Sequence, residues 1–131
     1  MSLGDDERRI MVELEIKKAH QLIDQFSILE EAKLWDTLAN RVYYAVFHAV
    51  TALLIKNGYH AESHLGVSVL FSKHFVKEGI VGAEYGRLFA RLENMREKSD
   101  YTCLFETTEE DVLPMIPKAK ELVSIIEGLI N

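Results

Sequence analysis

Two short stretches of this chain hold residue types suited to phosphate chemistry. NRVYYAVFH contains Asn40, Arg41, Tyr44 and His48, and REKSDY contains Arg96, Asp100 and Tyr101. Arginine keeps its proton in any protein environment and offers a planar fork of donors that matches phosphate or carboxylate. Histidine gives and takes protons near neutral pH, and tyrosine pairs a stacking face with a hydroxyl. Arg96 stands out by position. At 100° per residue, Tyr85, Leu88, Phe89 and Met95 fall within about 60° of Leu92, and Arg96 falls about 40° from it. A guanidinium aimed at a core or an interface needs acceptors or a ligand. Asp100, one helical turn on, is a suitable partner, so a purely structural Arg–Asp pair stands beside the binding reading.

A second polar feature runs along the apolar segment before it. Thr37, Arg41, Tyr44, His48 and Thr51 lie within an arc of roughly 80° on a helix that is apolar almost all round from Val42 to Ile55. Such a seam faces water, carries satisfied core polar groups, or meets Arg96 from another helix to form a small cationic site with aromatic walls. His64 falls at the start of the following helix, where the helix dipole disfavours a proton and favours a neutral packing role. His20, His60 and His74 have no spacing that suits zinc, so neither metal nor cofactor is expected. Cys103 is the only cysteine, which leaves no partner for an internal disulfide. Arg87 and Arg91 lie opposite the apolar sector of their helix, on a solvated face.

The elements that must position these residues are helical. The chain has 131 residues, is 48% hydrophobic and 27% charged, and has 7 Gly and 2 Pro, which suits one compact helical domain over residues 1–131, with residues 1–5 a tag remnant or a disordered end. Its net charge of -6 excludes a general grip on nucleic-acid backbones and requires any phosphate site to be focused. The apolar run from Ala45 to Ile55 is too short to cross a bilayer and the acidic N-terminus lacks a signal-peptide pattern, so the expectation is a soluble cytoplasmic protein with no membrane partner. Periodicity predicts five helices and no sheet: Asp5 to about Glu30; 34–57, closed by Asn57-Gly58; from Glu62 or Ser63 to near Gly79; about Ala83 to Ser99; and one capped at Thr108. Pro114 and Pro117 predict an irregular start or a kink in the last.

Together, NRVYYAVFHAVTALL, His64 in SHLGV, and REKSDY resemble the HEPN domains, in particular the small prokaryotic branch with Asn-Arg-x-Tyr-Tyr-Ala on the second helix and Arg-x-x-x-Asp-Tyr after the fourth. The resemblance covers the chain from about residue 10 to the end. It implies an all-helical bundle, a homodimer and, in many members, a place beside a minimal nucleotidyltransferase as a toxin–antitoxin pair. Other members are metal-independent ribonucleases, whose motif is Arg, four to six residues, then His, facing its copy across the dimer. Here Arg96 is followed after four residues by Tyr101, and no histidine occurs from residue 97 onward. Tyrosine, with an ordinary pKa near 10, is a poor base at neutral pH.

Two functions follow as expectations. The first is a binding or regulatory module that takes a nucleotide, RNA or a nucleotidyltransferase partner in a groove between the second and fourth helices, completed by a second subunit. The second is a metal-independent endoribonuclease in which Arg96 works with His48 or His64 in place of the motif histidine. The catalytic candidates are Arg96, Tyr101 and His48, and the ligand-binding candidates are Asn40, Arg41, Tyr44, His64 and Asp100. A tyrosine hydroxyl beside a motif arginine is also, by the same resemblance, a candidate to accept a nucleotide from a nucleotidyltransferase.

Overall fold

The computed structural model describes residues 4–131; Met1 to Leu3, most of the expected tag remnant, lie outside the described residues. Gly4 caps the first helix, and no strand occurs among the described residues. The helices are α1 (Asp5–Ile23), α2 (Phe26–Glu31), α3 (Trp35–Lys56), α4 (His64–Phe71) continued by a π turn (Ser72–Val76), α5 (Ala83–Tyr101), α6 (Glu109–Val112) and α7 (Met115–Ile130). The five expected helices are all present, two of them broken.

The first break divides the expected 5–30 helix after Ile23. Gln25 turns its N–H back to the Leu22 carbonyl, three residues away, which tightens the turn and lets Phe26 begin α2 with its ring only 3% exposed. The second break is at Pro114. Pro114 caps α7, and Pro117 then falls in the first turn, where a missing N–H costs no intrahelical bond. Thr108 and Asp111 close a reciprocal capping box on α6. Ser63 accepts the Gly66 N–H to start α4.

α3 ends in a Schellman turn. The Gly58 N–H reaches the Ile55 carbonyl and the Tyr59 N–H reaches that of Leu54, with Gly58 at φ 81°. The helix is the axis of the bundle, packed by α1, α2, α4, α5, α6 and α7. Leu38, Val42, Tyr43, Val46, Val50, Leu53 and Leu54 are all at or near zero exposure. By length and composition α3 passes for a membrane span, but 61% of its apolar window is buried inside the bundle, which identifies it as a core helix. α5 crosses it on one side, so Arg96 near the end of α5 meets the first half of α3.

Candidate functional site

Arg96 does turn inward. Its side chain is 13% exposed, its Nη1 donates to Asp100 Oδ2 at 3.0 Å, and its guanidinium carbon lies 5.2 Å from the centre of the Tyr43 ring. Its Nε is buried with no partner among the described residues. Burial opposes the charge, but the Asp100 carboxylate and the Tyr43 ring offset it, so the guanidinium stays protonated. The result is a fixed cation with unspent donor capacity.

Behind it stands Tyr43, which sequence patterning places among the apolar core residues. It is fully buried, and its hydroxyl is 2.8 Å from His64 Nδ1. Burial, reinforced by the negative charge of Glu93, pushes the phenol well above its ordinary range, so Tyr43 stays protonated. Burial and then the Arg96 cation push His64 below its ordinary 6.5, so its imidazole is neutral at pH 7. Two neutral tautomers fit this contact: the phenol donates to Nδ1 and His64 carries its proton on Nε2, or Nδ1–H donates to the phenol oxygen and Nε2 is free to accept.

Aromatic rings wall the site. Tyr43 is 4.9 Å from Tyr44 and 5.9 Å from Phe47, and Phe47 stacks on His64 at 4.6 Å. Tyr44 and Phe47 are half-buried, with part of each ring open. His48, one turn further, is 6.3 Å from Tyr44 and is held by Glu15 Oε2, 2.6 Å from Nδ1. Arg96, Asp100, Tyr43, Tyr44 and His64 therefore form one connected group, with His48 at its border.

Arg41 is elsewhere. Its Nε donates to Gln25 Oε1 at 3.0 Å and its Nη1 to Asn40 Oδ1 at 2.8 Å, so Arg41 and Asn40 make a separate network that ties α3 to the α1–α2 junction. Within one protomer the hydrogen bonds of Arg41 run to Gln25 and Asn40, and those of Arg96 to Asp100. Tyr101 points to solvent at 84% exposure, and Cys103 is exposed just beyond it. Of the remaining histidines, His20 joins α1 to Glu127 of α7 at 2.7 Å, His74 stacks on Tyr59 at 4.1 Å, and exposed His60 is 3.7 Å from Glu62. Tyr43, Phe47, Glu15 and Glu93 were not among the expected site residues, although Tyr43 and Phe47 lie in the NRVYYAVFH stretch; a tyrosine on the core side of a buried helix, whose hydroxyl must find a partner, was the signal for Tyr43.

The chain matches the HEPN domain family over residues 12–129 and belongs to it. A protein of Thermotoga maritima named UPF0332 protein is 34% identical over 126 residues, which cover 96% of each chain. A Methanocaldococcus jannaschii protein named "Putative toxin MJ0605" is 36% identical over 112 residues, covering 86% of this chain and 83% of the relative. A second protein of that organism, named "Putative toxin MJ0142", is 29% identical over 120 residues, covering 90% and 82%. The chain is thus a HEPN protein, and two of its relatives are named putative toxins.

Proposed function

We propose that this protein is a HEPN binding and regulatory module that holds a phosphate of a nucleotide or RNA at Arg96 and cleaves RNA slowly or not at all. The observation that carries this reading is the Arg96 guanidinium, fixed between Asp100 and the Tyr43 ring with its Nε unpartnered. A preorganised cation of this kind binds an anion without reorganising. In the tautomer in which Tyr43 donates to Nδ1, the neutral His64 presents an Nε2–H, a donor rather than a base, and binding is then favoured over cleavage. Half-buried Tyr44, beside Tyr43 and the guanidinium, offers aromatic surface suited to a base.

The chain works as one domain, as its continuous core across α1 to α7 supports. It works as a homodimer in the cytoplasm, paired with a minimal nucleotidyltransferase in a toxin–antitoxin system. Tyr101 and Leu104, 84% and 92% exposed beside the Arg96–Asp100 pair, favour a second chain at this face. Exposed Tyr101 is also accessible to a nucleotide-transferring partner. The second reading is a metal-independent ribonuclease, favoured by the link from Arg96 through Tyr43 to His64; it requires the opposite tautomer, with Nδ1 donating to Tyr43 and Nε2 free to accept the 2'-hydroxyl proton.

The test is to measure RNA binding and metal-free RNA cleavage for the native protein, Arg96→Ala and Tyr101→His. Native binding with slow cleavage, and loss of binding in Arg96→Ala, is the expected result. Rapid native cleavage that Arg96→Ala abolishes would establish the ribonuclease reading instead. Sedimentation at micromolar concentration is expected to find a dimer.

A further inference from the structure

Away from Arg96, a cleft of about 280 Å³ opens between α1, the C-terminal turn of α3 and the loop that leads to α4. Its shape follows from local chemistry. The left-handed Gly58 turns the chain back over α3, and Tyr59, the next residue, is clamped by the His74 ring stacked on it at 4.1 Å and 13°. The π turn that carries His74 thus buttresses one wall. The accessible apolar lining comes from Met11, 39% exposed, and from half-buried Ile55, Tyr59 and Ala61, with Leu54 and Val67 packed beneath at 1% and 4%.

The rim is polar and electrically unequal. Glu15 lines the cleft, but its Oε2 is held by His48. His60 has Glu62 3.7 Å away. Arg8, half-buried, makes no side-chain hydrogen bond or ion pair among the described residues, whereas its neighbour Arg9 pairs with Asp6 at 3.5 Å. The cleft therefore combines one uncommitted cation, an apolar floor and a rigid aromatic wall.

We propose that this cleft is a second binding site, for a small organic monoanion with a flat or branched apolar body, whose carboxylate pairs with Arg8 while its body lies on Ile55, Ala61 and the Tyr59 ring, above Leu54 and Val67. The volume is just under the about 300 Å³ at which ligand pockets usually begin, which suits a body of phenyl or indole size. The site does not depend on phosphate binding at Arg96. Because Glu15 forms part of the wall and also orients His48, occupancy here reaches the border of the Arg96 group.

The experiment titrates the full chain, isotope-labelled, with phenylacetate, phenylacetamide and inorganic phosphate while following methyl and imidazole resonances. Phenylacetate is expected to shift Met11, Leu54, Val67 and His48 together and to bind at least tenfold more tightly than the other two probes. Arg8→Gln, a surface change that leaves the core intact, is expected to equalise phenylacetate and its amide. Ala61→Phe, which fills the cleft from the loop, is expected to abolish the shifts. Equal binding of acid and amide by the native protein, an unchanged preference in Arg8→Gln, shifts confined to residues outside the cleft, or no binding at millimolar concentration would each overturn the proposal. Phosphate binding here as tightly as phenylacetate would also overturn it, because the apolar floor would then contribute nothing.

Discussion

Arg96 keeps its charge in a place where burial works against it, because the Asp100 carboxylate and the Tyr43 ring supply the compensation. That charge in turn acts on His64, whose lowered pKa is caused first by burial and second by Arg96. Arg96→Gln is therefore expected to raise the His64 pKa toward 6.5 without reaching it, since burial remains; an NMR titration of the imidazole reads this directly. The sign for stability follows from linkage. The folded chain disfavours His64 protonation, so this contribution is fully present above pH 6.5 and is lost as pH falls through the lower folded value. His64→Gln is expected to flatten that limb of the stability curve, measured by denaturant melts across the acid range. The inward turn of Arg96 was legible from its angle among Tyr85, Leu88, Leu92 and Met95. The partner behind it was not, because Tyr43 reads as one more core residue until its hydroxyl is placed against His64. Nor could spacing reveal that Arg41 turns to Gln25, since one guanidinium reaches either of two directions from the same helical position.

At the level of the elements, most boundaries follow from capping chemistry that the sequence displays. The Thr108–Asp111 box fastens α6, and its backbone hydrogen bond holds the Asp111 carboxyl below its ordinary range. Thr108→Ala is expected to cost about 1 kcal/mol, read as a lower melting midpoint. Gly58→Ala is expected to cost about 1 kcal/mol as well; a Cβ there meets nothing within 4 Å, so the cost is that of the left-handed backbone alone. The interruptions were harder to see. Phe26 continues the stripe of Val12 and Ala19, so the break at Asp24–Gln25 leaves no mark on the periodicity. The π turn at Ser72–Val76 likewise sits within an apparently regular pattern and appears only once His74 is found against Tyr59. Pro114 and Pro117 did announce an irregular start, and its form, a short α6 and a restart at Met115, follows from Pro114 taking the cap.

For the molecule as a whole, α3 is both the core and the platform of the site: its buried face holds Leu38, Val46, Val50 and Leu53, and the same helix presents Tyr43, Tyr44 and His48 to α5, α4 and α1. Leu53→Ala is expected to cost about 2–5 kcal/mol and to loosen every helix at once, visible as lost protection from hydrogen exchange across the bundle. The five-helix architecture was legible because only the 34–57 segment is apolar over most of its circumference, which marks it as central. The chain belongs to the HEPN family, and the Arg96 group is the site proposed for its function. The central claim is that Arg96 binds phosphate and is more than a structural partner of Asp100. Its most direct test is a calorimetric titration of the native protein and Arg96→Gln with a short RNA, each variant's melting temperature and sedimentation measured alongside. A charge-assisted hydrogen bond is worth about 1.5–3 kcal/mol, so Arg96→Gln is expected to weaken binding roughly tenfold to a hundredfold while the fold persists. Unchanged affinity with a weakened dimer or a lowered melting temperature would contradict the account and make Arg96 structural.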